Sequence, residues 1–154
     1  MMKTANIRHK DSLFVTIFND EAKLLELYNA ISGSNYTKDA KIRINTLDSV
    51  LFLDKINDIS FTIDNKIVIL IEHQSTINDN MPLRLLLYIS KVYERLIEGR
   101  AVYKRKLIKI PTPEFIVLYN GTENYPDEKI LKLSDAFETG LPQINLELTV
   151  KVIK

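Results

Sequence analysis

Between Asp58 and Ile71 the chain changes its hydrophobic rhythm. Ile59, Phe61 and Ile63 alternate with Asp58, Ser60, Thr62 and Asp64, the two-residue period of a half-buried strand with one polar face. Asp64 and Asn65 supply turn chemistry, and the apolar, β-branched run from Lys66 to Ile71 predicts a central strand buried on both faces. The two segments make a hairpin. Upstream, Leu13, Phe14, Ile17 and Phe18 follow helical spacing behind a cap at Asp11 or Ser12. A second helix, capped by Asp20, carries Leu24, Leu25, Leu27, Tyr28 and Ile31 and stops at Gly33. Residues 41–53 lean toward alternation and predict one or two short strands.

Downstream, Asp79 or Asn80 opens a long helix over residues 80–98, with Pro82 in the first turn, where a missing N–H costs nothing, and Gly99 marking its end. Met81, Leu85, Tyr88 or Ile89, Val92 and Leu96 form its core-facing stripe. Phe115 to Tyr119, begun by Pro113 and closed by Asn120-Gly121, reads as a strand, and Ser134 to Glu138 as a short helical turn. From Ile144 to Ile153 the alternation is again clean and predicts a last strand. It runs to within one residue of the end of the sequence, so we expect one domain over residues 1–154, truncated on its C-terminal side. The fold class is α/β: a mixed sheet with the hairpin at its centre, packed between the N-terminal helices and the long helix.

Composition narrows the chemistry. The 154 residues hold 21 Lys and Arg against 20 Asp and Glu, a net charge of +1, so any polyanion site must be a local patch. With no cysteine and only His9 and His73, thiolate nucleophiles, Cys-ligated zinc and three-histidine sites are excluded. Gly33, Gly99, Gly121 and Gly140 lie too far apart for a phosphate-cradling loop. No apolar run approaches the roughly 20 residues of a membrane span, and the first ten residues lack a secretory core. The expected setting is cytoplasmic, with no membrane partner. Carboxylates, lysines, arginines and amides are what remains.

Asp58 opens the polar-faced strand, and Glu72 and Gln74 follow five apolar residues at the polar end of the buried strand. Carboxylates gathered at the end of a core strand call for a cation or a shared proton. Alternation puts Glu72 and Gln74 on one face and His73 on the other. Whether Asp58 joins Glu72 depends on the turn. A two-residue loop at Asp64-Asn65 sets Asp58 opposite Ile71, on the wrong face; a three-residue loop through Lys66, or a bulge, sets it opposite Glu72. The second arrangement would bring the two Cβ atoms to roughly 5 Å, bridging distance for one Mg²⁺.

Asn57-Asp58-Ile59-Ser60-Phe61, Glu72-His73-Gln74-Ser75 and Asn80-Met81-Pro82-Leu83-Arg84 resemble the Rpn family of recombination-promoting nucleases and transposase relatives, a branch of the PD-(D/E)XK nuclease superfamily. The resemblance is specific over residues 57–95 and looser from His9 to Gly121 and into the terminal strand. It implies a restriction-endonuclease-like αβββαβ core and Mg²⁺-dependent (or Mn²⁺-dependent) hydrolysis of DNA phosphodiesters, linked to recombination or transposition. Asp58 matches the first acid and Glu72 the second; the metal would be held by both and by the backbone carbonyl of His73. Gln74 stands at the superfamily's lysine position, where an amide offers a dipole in place of a charge. Water activation then falls to the cation or to a base from elsewhere.

Arg84, Tyr88, Lys91 and Arg95 share one face of the long helix, and Arg84 or Lys91 could reach a scissile phosphate. Arg100, Lys104, Arg105, Lys106 and Lys109, with Tyr103 among them, form the densest local charge, suited to sequence-blind phosphate contacts. Each feature has a plainer reading beside it. Asp11 serves as an N-cap, His73 as a structural histidine, the Arg84 stripe as a solvated face and the basic segment as a solubilising loop. The rival to a nuclease is a nuclease-derived module without turnover that binds DNA or a protein, an alternative that Gln74 keeps open, as is a homodimer.

Overall fold

The computed structural model describes residue 14 and residues 16–45, 58–73, 78–97 and 99–154, with the backbone alone at residues 45, 58, 70–73, 100 and 101. Asp20 caps helix α1 (Glu21–Ser32) by accepting a 2.9 Å hydrogen bond from the Lys23 N–H, and Gly33 ends it at φ 69°. A short helical stretch at residues 16–18 precedes it; the Asp11 or Ser12 cap lies outside the described residues. Four strands and a helix follow: β1 (Ile42–Asn45), β2 (Asp58–Ile63), β3 (Lys66–His73), α2 (Met81–Leu96) and β4 (Thr112–Tyr119). This α-β-β-β-α-β order is compatible with a restriction-endonuclease-like core. Then come β5 (Glu128–Lys132), a 3₁₀ turn at Leu133–Ala136 and β6 (Thr149–Ile153).

The strands form one six-stranded mixed sheet in the order β1-β2-β3-β4-β6-β5. β1, β2 and β3 are antiparallel neighbours, β3-β4 and β4-β6 are parallel, and β5 closes the far edge antiparallel to β6. A core lies on each face. On one, Leu24, Leu25 and Tyr28 of α1 and Phe14 pack on Ile59, Phe61, Ile63, Val68 and Ile116. On the other, Met81, Leu85, Tyr88 and Ile89 of α2 pack on Ile67, Ile69, Phe115, Val117, Val150 and Val152. The two cores use alternate residues of β3 and β4, which is why both strands read as unbroken apolar runs. Tyr28, fully buried, donates its hydroxyl at 2.6 Å to Glu114 Oε2 on β4 and so ties α1 to the sheet.

Three details depart from the sequence pattern. α2 ends at Leu96 with Ile97 as its cap, before Gly99, and Asn80 stands at its N-terminus without a side-chain capping bond. The last strand covers only Thr149–Ile153, because β5 gives way to the 3₁₀ turn at Leu133 and leaves the preceding residues no ladder partner on that side; Ile144 and Leu146 stay exposed. Glu147 instead binds the turn, accepting from the Ser134 N–H at 3.1 Å and the Ser134 hydroxyl at 2.7 Å. β5 escaped the pattern altogether, since Leu131 alone of its five residues is buried. Its lysines suit an edge strand. Of the one or two strands predicted over residues 41–53, β1 is one, and residues 46–53 lie outside the described residues.

Candidate active site

Asp58 is the first residue of β2 and Glu72 the last but one of β3, so both stand at the same end of the sheet. The turn between the strands decides how they relate. Asp64 (φ 45°) and Asn65 (φ 60°) are both left-handed, and the ladder closes at Ile63↔Lys66, a two-residue loop of the primed kind that matches strand twist. The register then runs without a bulge to Asp58↔Ile71. The three-residue loop or bulge needed to set Asp58 opposite Glu72 is therefore absent from the hairpin. Asn and Asp tolerate positive φ, so the shorter loop needs no glycine and the strands keep their tight twist.

In the register, Asp58 stands in the phase of Ser60 and Thr62, and Glu72 in the opposite phase, that of Val68. Their backbones are nonetheless on adjacent rungs, roughly 6 Å apart at Cα from strand spacing and rise. Residues 46–57 and 74–77, Gln74 among them, lie outside the described residues. Among the described residues no three His, Asp or Glu side chains gather as a metal site.

Helix α2 borders this end with a defined orientation. Leu86 and Ile89 line a cavity of about 360 Å³ with Pro113, Phe115, Ile130 and Thr149, so that flank of the helix faces β4, β6 and β5. Arg84, Lys91 and Arg95 lie on the opposite flank of the buried stripe, toward β3 and the polar phase of β2. Tyr88, which shares their face in sequence spacing and also falls in the predicted core-facing stripe, is buried in the core. Arg84 is one turn into α2, near the acid end of the sheet, and its guanidinium lies 3.5 Å from Met81 Sδ. Lys91 is roughly 10 Å further along the axis at 1.5 Å per residue.

The other basic candidates stand elsewhere. Lys104, Arg105 and Lys106 belong to the connection from α2 to β4, and β4 begins at Thr112, paired with Lys66. Glu72 is six residue steps along β3 from Lys66, roughly 20 Å of strand. That segment is at the far end of the sheet from the acids.

Two aromatic rings pack at this end of the sheet. His73 pairs with Tyr119, whose ring packs 5.2 Å from that of Tyr125. A Cβ on Gly121 would overlap the Tyr119 ring, which explains the glycine after Asn120 by close approach and not by backbone φ. The Tyr119 hydroxyl accepts from the Glu123 N–H at 3.3 Å. Burial, with the charge of Asp79 second, pushes the Tyr125 phenol up, and its hydroxyl has no hydrogen-bond partner among the described residues. Sequence reasoning missed this pair, because nothing in the spacing of Tyr119 and Tyr125 signals that their rings meet.

A family model described as "Putative transposase, YhgA-like" matches residues 39–152. The match runs from just before β1 to the end of the sheet and takes in the Asp58, Glu72 and Gln74 positions. The chain belongs to the YhgA-like transposase family. No curated protein and no solved structure gives a match. The family agrees with the Rpn resemblance carried by residues 57–95 and ties the chain to transposition-related function. Among the described residues no helix is long and apolar enough to cross a membrane.

Proposed function

We propose that this YhgA-like chain is a metal-dependent DNA endonuclease whose strand cleavage serves transposition or recombination. The observation that carries the reading is the placement of Asp58 and Glu72 on adjacent rungs at one end of the two central hairpin strands. Two carboxylates and the His73 carbonyl are hard oxygen donors, a set that fits Mg²⁺ or Mn²⁺. Because the register assigns the acids opposite phases, they would meet past the last rung, around the strand ends, and not on one face of the sheet. A cation held there would polarise the phosphoryl group and lower the pKa of a water. Gln74, two residues beyond Glu72, would orient that water with its amide, donating and accepting at once. Arg84 is the better placed of the α2 cations to neutralise a non-bridging phosphate oxygen, since Lys91 is two turns further from the acid end.

The same opposite phases favour a second reading, a nuclease-derived module that binds DNA without cutting it. Incubating supercoiled plasmid with the protein in Mg²⁺, Mn²⁺ or EDTA separates the two. Nicking in either metal and not in EDTA supports the enzyme, and Arg84→Ala should then slow it more than Lys91→Ala. Metal-independent DNA binding with no nicking supports the module.

A further inference from the structure

The connection from α2 to β4 carries a surface that strand cleavage at Asp58 and Glu72 does not use. Between Gly99 and Thr112 fall five of the chain's 21 Lys and Arg and none of its 20 acids, so the remainder of this nearly neutral chain is net negative. Lys104, Arg105, Lys106 and Lys109 are exposed, and none is ion-paired among the described residues. Tyr103 is 86% exposed and Leu107 75%. Its C-terminal end is fixed twice: the Tyr93 hydroxyl donates to the Pro111 carbonyl at 2.7 Å, and the Thr112 N–H donates to the Asn65 carbonyl at 3.0 Å. The cations and the aromatic ring are thus presented from a tethered segment.

We propose that residues 99–111 dock an unpaired stretch of DNA, Tyr103 stacking on a base while Lys104, Arg105, Lys106 and Lys109 track the backbone. Cations alone would serve a duplex equally well. A bare tyrosine ring among them needs an accessible base face, which a duplex hides inside its stack and a single strand offers. An anionic membrane would also attract the cations, but it is usually met by an amphipathic helix, and only Gly99–Tyr103 is helical here, as a single 3₁₀ stretch. The placement adds a distance that rests on the nuclease reading: roughly 20 Å of strand separates Thr112, where this segment ends, from the Glu72 rung, the length of about six base pairs of duplex at 3.4 Å each. The preferred substrate would carry its unpaired bases about that far from the cut.

Fluorescence anisotropy in EDTA, with a labelled 20-nucleotide strand and its duplex, tests the docking without requiring cleavage. The wild type should bind the single strand more tightly than the duplex. Tyr103→Ala should weaken single-strand binding about tenfold, within the range measured for a base-aromatic stack, while Tyr103→Phe keeps it. Replacing Lys104, Arg105 and Lys106 by alanine should lower the slope of log affinity against log salt by about 2. Circular dichroism should match the wild type in each case, because the side chains are exposed. Equal single-strand affinity for Tyr103→Ala and wild type, preference for the duplex, or binding to phosphatidylserine vesicles without binding to DNA would overturn the proposal. A wild type that binds single strands and fails to nick plasmid refutes the nuclease alone; one that nicks and shows no single-strand preference refutes the docking alone.

Discussion

Asp58 stands opposite Ile71 in the β2-β3 ladder, one rung short of Glu72. That single rung decides what kind of site the hairpin can build. With the acids directly opposed, a cation would sit on a face of the sheet, under a helix. With the acids offset, a cation shared by both would sit at the strand ends, the end of the sheet near Arg84 of α2.

The offset is set by the turn, and the turn can be tested. Asn65 at φ 60° is in a region where a β-branched side chain is strained by about 1–2 kcal/mol. Asn65→Val should lower unfolding free energy in urea by that amount, whereas Asn65→Gly should be neutral or stabilising. Equal stability of the two variants would show that the loop is not left-handed at Asn65.

Tyr28 governs how the α1 side responds to alkali. Burial first, then its hydrogen bond to Glu114 and that carboxylate's charge, push the phenol well above its usual range. A folded state that holds its proton more tightly than the unfolded chain keeps this contribution in full below about pH 10 and loses it as pH rises beyond that. Tyr28→Phe keeps the ring and removes the hydroxyl, so it should cost about 1–3 kcal/mol at neutral pH and flatten the alkaline decline, read from melts between pH 7 and 11. A decline as steep as that of the wild type would place its origin in other groups.

Gly121 lies against the Tyr119 ring, and the room for a methyl group is missing. Gly121→Ala should destabilise by about 1–3 kcal/mol, with the melting temperature falling about 3 °C per kcal/mol. Gly140→Ala, with nothing within 4 Å of its added carbon, is the control. If both variants melt with the wild type, the Tyr119 packing at the acid end is looser than described.

Gln74 separates positioning from charge. Gln74→Ala should slow nicking roughly 10²-fold, the scale for losing one positioned donor, while Gln74→Lys should retain or raise the rate by placing a cation beside the phosphate. An unaffected Gln74→Ala would move the water-orienting role to another residue, with Arg84 and Lys91 next in line.

Strong periodicity made much of the fold legible. Asp20 and Gly33 delimit α1 as capping chemistry requires, the alternation of Ile59, Phe61 and Ile63 appears as β2, and Met81, Leu85, Tyr88 and Ile89 of the apolar stripe are the buried face of α2, whereas Leu96 at its end is exposed. Where the pattern misled, tertiary pairing was the cause. Ile144 and Leu146 alternate like strand residues but have no ladder to join, and β5 forms with one buried residue because β6 offers it an edge. That Asp58 and Glu72 stand at one end of the sheet was legible from the strand pattern. Their register was not, because Asp64-Asn65 serves two-residue and three-residue loops alike, and only the φ angles and the Ile63↔Lys66 pair distinguish them. The distance between the basic segment and the acids depends on the parallel pairing of β3 with β4, which no local pattern encodes.

In the proposed function, Asp58 and Glu72 jointly support metal-dependent cleavage from the strand ends. The most direct measurement is the rate of supercoiled-plasmid nicking in Mn²⁺ or Mg²⁺ for wild type, Asp58→Ala and Glu72→Ala at equal protein and metal. The expected result is nicking by the wild type, a loss of at least roughly 10²-fold in each variant, and unchanged or raised melting temperatures, since each substitution removes carboxylate repulsion from the metal-free protein. Either variant nicking at the wild-type rate, or a wild type inert in both metals, would contradict it.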